Sequence, residues 1–148
     1  MFDKLLPARA DNTYQGQPVA LYLLALVLFM KGGIGLGTIF HGRTAAVDAD
    51  GIPLATFGAG GAQAFLSLFA AWGLAQVTIV ALGVIALARY RSLVPLMFVV
   101  LLAEHLLRRL IFLVMPIPRE GAPPGLYINL VILTVMLVGL VLSLRQRA

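Results

Sequence analysis

The sequence predicts an all-α fold: a four-transmembrane-helix bundle of antiparallel up-down topology, with both termini on the inner side. Three observations predict it. Of the 148 residues, 61% are hydrophobic and 11% are charged, less than half the charged share of about 25% found in soluble domains. A soluble chain of this length cannot bury that much apolar surface, so a second apolar solvent, the bilayer, is required. Next, the apolar residues gather into four long runs, at about 19–40, 62–88, 93–115 and 126–144. At ~1.5 Å per residue each can cross a hydrocarbon core of roughly 30 Å. Finally, these runs lack the alternating polarity of β-barrel strands of about ten residues.

The elements follow in order. Residues 1–17 are polar apart from Phe2, Leu5 and Leu6; they form either a short interfacial segment or a frayed terminus. Pro18 precedes the first run, where a helix tolerates proline. The loop at about 41–61 is rich in Gly and polar residues, and its stretch 52–57 is apolar enough to fold over the outer mouth as a lid. Arg89-Tyr90-Arg91-Ser92 links the second and third runs. Pro116, Pro118, Pro123 and Pro124 make the connection at 116–125 helix-breaking. The expectation is a single integral membrane domain over residues 1–148, with the first span retained rather than cleaved as a signal peptide.

Basic residues give the direction. Lys4, Arg9, Arg89, Arg91, Arg145 and Arg147 fall on one side, against Arg43 and Arg119 on the other. The richer side is expected to be cytoplasmic. The net charge of +5 is therefore a topology signal and not a nucleic-acid footprint, since no basic stripe with interleaved aromatics occurs. The chain has no cysteine, which excludes disulfides, thiolate metal sites and cysteine nucleophiles.

Polar residues inside the spans are costly and mark function or helix register. Lys31, Gln76, Glu104, His105 and Thr134 fall near the centres of their runs, at one level. Glu104, His105, Arg108 and Arg109 occupy positions i, i+1, i+4 and i+5, one stripe on one helix face. That spacing allows Glu104 to reach Arg108 and His105 to reach Arg109. Asn129 is expected at the depth of the two arginines. With Lys31, Arg108 and Arg109 against Glu104, the pocket carries about +2, and an uncompensated charge in low dielectric is expensive. Arginines reaching outward to headgroups, a neutral Lys31, or an entering anion would each relieve it.

Two readings stay open. In one, Lys31 and Glu104 are a buried pair that fixes helix register. In the other, Lys31, Gln76, Glu104, His105, Arg108, Arg109 and Asn129 line a ligand-binding cavity open to the outer half. Its ligand would be a lipid-like or quinone-like molecule or a small anion, or the chain would serve as a small subunit of a membrane complex. The alternatives are a membrane enzyme with Glu104 and His105 as acid and base, and a transporter or proton-path component. Expected partners are membrane lipids, a hydrophobic or anionic small molecule, and a homo-oligomer or larger membrane complex, with no nucleic acid. No metal is expected, because His41 and His105 are offset by roughly 15 Å along the bundle.

Two motifs invite other readings. Gly32, Gly33, Gly35 and Gly37 follow Lys31, but no strand precedes them as a phosphate-binding loop needs. Gly33 and Gly37 have the spacing for close helix packing. Asp48-Ala49-Asp50-Gly51 lacks the later ligands of a calcium loop and reads as a polar turn.

The Gly-rich first span from Lys31 to Gly37, the loop with Pro53 and Phe57-Gly58, the third span ending in Arg109, and the Gly121–Gly125 turn before a last helix resemble the small bacterial DoxX-like four-helix membrane proteins. The resemblance covers most of the chain. It implies architecture and a bacterial cytoplasmic-membrane location, and it brings no active site with it.

Overall fold

The computed structural model describes residues 5–145. It is all α, and no strand occurs among the described residues. Four long helices are α1 (Val19–Phe40), α2 (Gly58–Arg89), α3 (Val94–Val114) and α4 (Pro124–Leu144). Three stretches are long and apolar enough to cross a membrane: Val19–Phe40, Leu54–Arg89 and Pro124–Leu144. The helix α3 is as long as α4, but Glu104, Arg108 and Arg109 interrupt its apolar run.

α2 begins at Gly58, four residues before the apolar run does. A 3-10 turn, Leu54–Phe57, leads into it. Glycines at 58, 60 and 61 disfavour helix by about 1 kcal/mol each, so a reading from local preference starts the helix too late. Here tertiary contacts override it: Phe57 is seated against Phe65 with ring centroids 5.8 Å apart.

α1 is the hub of the bundle and packs most extensively on α2, then on α4. The tightest point is Gly35 against Gly73. A Cβ on Gly73 would stand 2.7 Å from the Gly35 carbonyl oxygen, and one on Gly35 would stand 2.9 Å from the Val77 side chain. Only glycine allows backbones this close. The expected pair, Gly33 and Gly37, does not do this. Gly33 is exposed and Gly37 half-buried, and neither has anything near its Cβ position. They sit on the opposite side of α1 from Gly35, whose neighbours Lys31 and Thr38 are buried. The main core joins Leu24, Val27 and Leu28 of α1 to Phe98, Leu101 and Leu102 of α3 and Ile132 and Met136 of α4. The outward faces are apolar too, with Tyr22, Phe29, Leu68 and Leu113 each more than 70% exposed, an arrangement monomeric soluble proteins avoid.

The two ends of the bundle are tied differently. At one end, the segment before α1 is strapped across the start of α3 and the end of α4. Ser92 donates its backbone N–H to the Asp11 carbonyl at 3.2 Å, and Gln17 donates to the Leu142 carbonyl at 3.1 Å. The Tyr14 hydroxyl donates to the Gln17 carbonyl, and burial pushes its phenol up to about 12. Residues 11–17 are thus neither frayed nor detached; Phe2 lies outside the described residues. At the other end, a π-turn at Ala45–Ala49 leads to Gly51, whose φ of 67° is a left-handed value that glycine tolerates best. Glu120 donates its N–H to the Gly51 carbonyl at 2.8 Å, which joins the two loops of this end. The segment Ile52–Phe57 does not lie free above the bundle. Ile52 and Leu54 are buried with Phe57, Phe65, Phe69 and Ile117 in a second apolar core.

Gly73→Leu is expected to destabilise the folded chain by about 1–3 kcal/mol through overpacking. Gly33→Leu, on an open face, is expected to be neutral or stabilising. Thermal unfolding of both variants in the same detergent measures the difference; equal losses would mean that the Gly35–Gly73 approach does not hold α1 to α2.

Candidate functional site

The polar residues of α1 and α3 meet in a charge triad. Lys31, 2% exposed, donates to Glu104 Oε2 at 2.8 Å. Arg108, one turn along α3, donates through Nε to Glu104 Oε1 at 3.2 Å. The i, i+4 spacing places Arg108 there, and the carboxylate uses both oxygens. His105 is 1% exposed and lies 3.4 Å from Arg108 Nη2 through Nδ1. Arginine has no acceptor, so the His105 ring proton belongs on Nε2, which has no hydrogen-bond partner among the described residues. The expected neighbour of His105 was Arg109; Arg108 takes the contact instead, because its guanidinium folds back toward Glu104 and Trp72 while Arg109 points into a cavity. The Arg108 guanidinium lies 4.8 Å from the centre of the Trp72 ring, a cation–π contact.

That cavity, of about 440 Å³, opens at the loop-bearing end between α2, α3 and α4. Phe65, Phe69 and Trp72 of α2 form a stacked ladder on one side, with successive centroids 5.5 Å apart. Ile111 and Phe112 of α3, Ile117 and Leu126 complete the apolar wall. Arg108, Arg109 and Arg119 project into it, with Asp50 and Asn129. Arg119 rests over Phe112 at 5.7 Å. Asn129 donates to the Gly125 carbonyl at 2.7 Å.

A pocket of about 30 Å³ continues inward from it, sharing Asp50, Trp72, Arg108 and Asn129 and reaching Lys31 and Gln76. Its size suits one water molecule. Gln76 is 3% exposed, and its Oε1 is without a hydrogen-bond partner among the described residues. The candidate residues therefore divide by position. Arg108, Arg109 and Asn129 line the large cavity, while Lys31 and Gln76 line its inner extension. Glu104 and His105 line neither, and stand behind Arg108. Thr134 does not face the interior: it is exposed, with its hydroxyl donated to the Leu130 carbonyl. A polar side chain on an outward helix face satisfies itself on the preceding turn.

Three cavity residues escape a sequence reading. Asp50 looks like part of a polar turn and Arg119 like a topology charge. Both arrive through loop folding, held by the Gly51–Glu120 bond and by the start of α4, where a Cβ on Gly125 would stand 2.7 Å from Asp50 Oδ1. Trp72 carried one signal, its position one turn before Gln76 on the same face. Among the described residues no group of three or more potential metal ligands occurs.

No family model, no curated protein and no solved structure matches the chain.

Glu104→Gln is expected to cost about 3–5 kcal/mol, because it leaves two buried or half-buried cations without their anion. Lys31→Met is expected to cost less, since Arg108 still neutralises Glu104. Denaturant titration in micelles ranks the two, and the reverse order would mean that Glu104 does not serve both cations. Burial pushes the Asp50 carboxyl up from its ordinary 3.8, against the pull of Arg119 and Arg108. Its charged form is thus disfavoured on folding: stability is fullest below 3.8 and declines as pH rises through the raised value. Asp50→Asn is expected to remove that decline. A stability–pH profile unchanged by the substitution would contradict it.

Proposed function

We propose that this chain is a four-span integral protein of a bacterial cytoplasmic membrane, with both termini inside, that binds an amphiphilic molecule in the cavity at its outer end. The carrying observation is the cavity itself: aromatic and aliphatic walls, with three arginines and a single carboxylate among them. Apolar pockets with a few convergent polar groups are what small-molecule sites look like. The ligand is lipid-like or quinone-like, with its electron-rich or anionic head toward Arg109 and Arg119.

Several features support the membrane setting. α3 becomes a fourth span when its charges face inward, as Glu104 and Arg108 do. The strapped end carries Arg9, Arg89, Arg91 and Arg145, the bias expected of a cytoplasmic face. The DoxX-like resemblance adds architecture to this proposal and nothing about the ligand. A binding role is favoured over acid–base catalysis because neither Glu104 nor His105 lines the cavity, so no reacting atom placed there would touch them.

The protein purified in mild detergent is expected to carry a co-purifying amphiphile, found by mass spectrometry of an organic extract. Arg109→Gln with Arg119→Gln is expected to lower its occupancy about tenfold in a chain that keeps its helical circular dichroism. A folded chain with no extractable amphiphile would overturn the binding role. Reporter fusions in the 41–57 and 115–123 loops that read cytoplasmic would overturn the topology.

A further inference from the structure

The charges around the cavity do not balance, and their surplus has a size. Lys31, Arg108, Arg109 and Arg119 supply four positive charges; Glu104 and Asp50 supply two negative. The difference is +2. Glu104 is already shared between Lys31 and Arg108. Neither Arg109 nor Arg119 makes an ion pair with a described residue. Both guanidiniums line one cavity, one half-buried on α3 and one exposed at the mouth. Guanidinium groups present paired donors that match the oxygens of a phosphate.

The cavity also has a side door. Leu68 of α2 and Ile111 of α3 both line it, and both are largely exposed on the outer surface of the bundle. α2 and α3 touch little. The apolar part of the cavity is thus continuous with the flank of the bundle between these helices, while Arg109 lies half-buried on α3 and Arg119 at the loop mouth. A head group can sit among the arginines while a hydrocarbon tail leaves through the α2–α3 seam.

We infer that the ligand is a phosphate monoester on an apolar tail, bound as the dianion. This rests on the binding role proposed above and names its ligand class. A phosphate monoester carries close to two negative charges at neutral pH and matches the surplus; a phosphodiester or carboxylate carries one and leaves a cation unbalanced. Asp50 sets this selectivity. Lining the same cavity as Arg108 and Arg119 and within their electrostatic reach, it removes one charge from the cavity, and it repels any anion. Only a doubly charged head recovers the full attraction.

The test places the whole chain in nanodiscs of phosphatidylcholine and measures binding of dioctanoyl phosphatidic acid, dioctanoyl phosphatidylglycerol and inorganic phosphate. Phosphatidic acid is expected to bind at least about tenfold more tightly than the other two. Arg109→Gln is expected to lower its affinity about tenfold, and Asp50→Asn to raise it. The second ionisation of a phosphate monoester lies near pH 6, so affinity is expected to fall when pH is lowered from about 7.5 to about 5. That fall is expected to persist in Asp50→Asn, which excludes Asp50 itself as its source; the other ionisable groups are the three arginines of the cavity, Lys31 on its inner extension, and Glu104 and His105 behind Arg108. Equal binding of phosphatidic acid and phosphatidylglycerol, both lost in Arg109→Gln, would overturn the dianion and leave the binding role standing. Inorganic phosphate binding as tightly as phosphatidic acid would overturn the tail. No binding of either lipid by a chain that still carries an extractable amphiphile would overturn the phosphate assignment alone, and no binding with no extractable amphiphile would remove both.

Discussion

Glu104 is the anion on which the interior depends. It holds Lys31 of α1 and Arg108 of α3 at once, on a helix whose Leu101 and Leu102 belong to the buried apolar core. Burying one charge without a partner is costly, and burying a pair roughly breaks even only when hydrogen bonds are well made. The three-way arrangement meets that condition for the carboxylate. It also sets register, because sliding α1 against α3 by one residue would separate Lys31 from Glu104. Arg108, drawn back by Glu104, comes to rest on Trp72, so the same interaction fixes the inner wall of the cavity. The charges that remain unbalanced are then pushed outward to Arg109 and Arg119.

Two different means of helix association operate along α1. Where α1 meets α2 the backbones themselves approach, at Gly35 and Gly73, and dispersion across that flat contact does the holding. Where α1 meets α3 the backbones stand further apart, and side chains make the join: the apolar core and, at its outer end, the Lys31–Glu104 pair. This division leaves α2 and α3 free to stand apart toward the loops. Toward the loops the space between them is lined by Ile52 and Ile117, whose two loops are joined by the bond between Gly51 and Glu120. Because the two loops share a backbone hydrogen bond, displacing one displaces the other.

The sequence announces a good deal of this. Four apolar runs coincide with four helices because hydropathy over twenty residues is a strong signal. Glu104 and Arg108 are a helix neighbour pair by spacing alone, and Lys31 is the one cation at the same depth on α1. Other features depend on facing and not on spacing. Gly33 and Gly37 have the packing period, but so does any pair four apart, and it is the position of Lys31 and Thr38 on the buried side that makes Gly35 the contact. Thr134 has the right depth and the wrong face. His105 reaches Arg108 rather than Arg109 because guanidinium groups have five donors and several directions to choose from. Asp50 and Arg119 come from separate loops, and no local pattern foretells that a backbone bond at Gly51 brings them to one cavity.

Trp72 closes the aromatic ladder and lies beneath Arg108, and it is the one tryptophan in the chain. Indole emission from this protein therefore originates at a single point, on the wall between the large cavity and its inner extension. Its colour and intensity respond to the polarity of that wall and to the cation stacked on it. The fold has in effect placed an intrinsic optical probe at the threshold between the mouth and the buried charges, so that filling or emptying the cavity registers as light from the unlabelled chain.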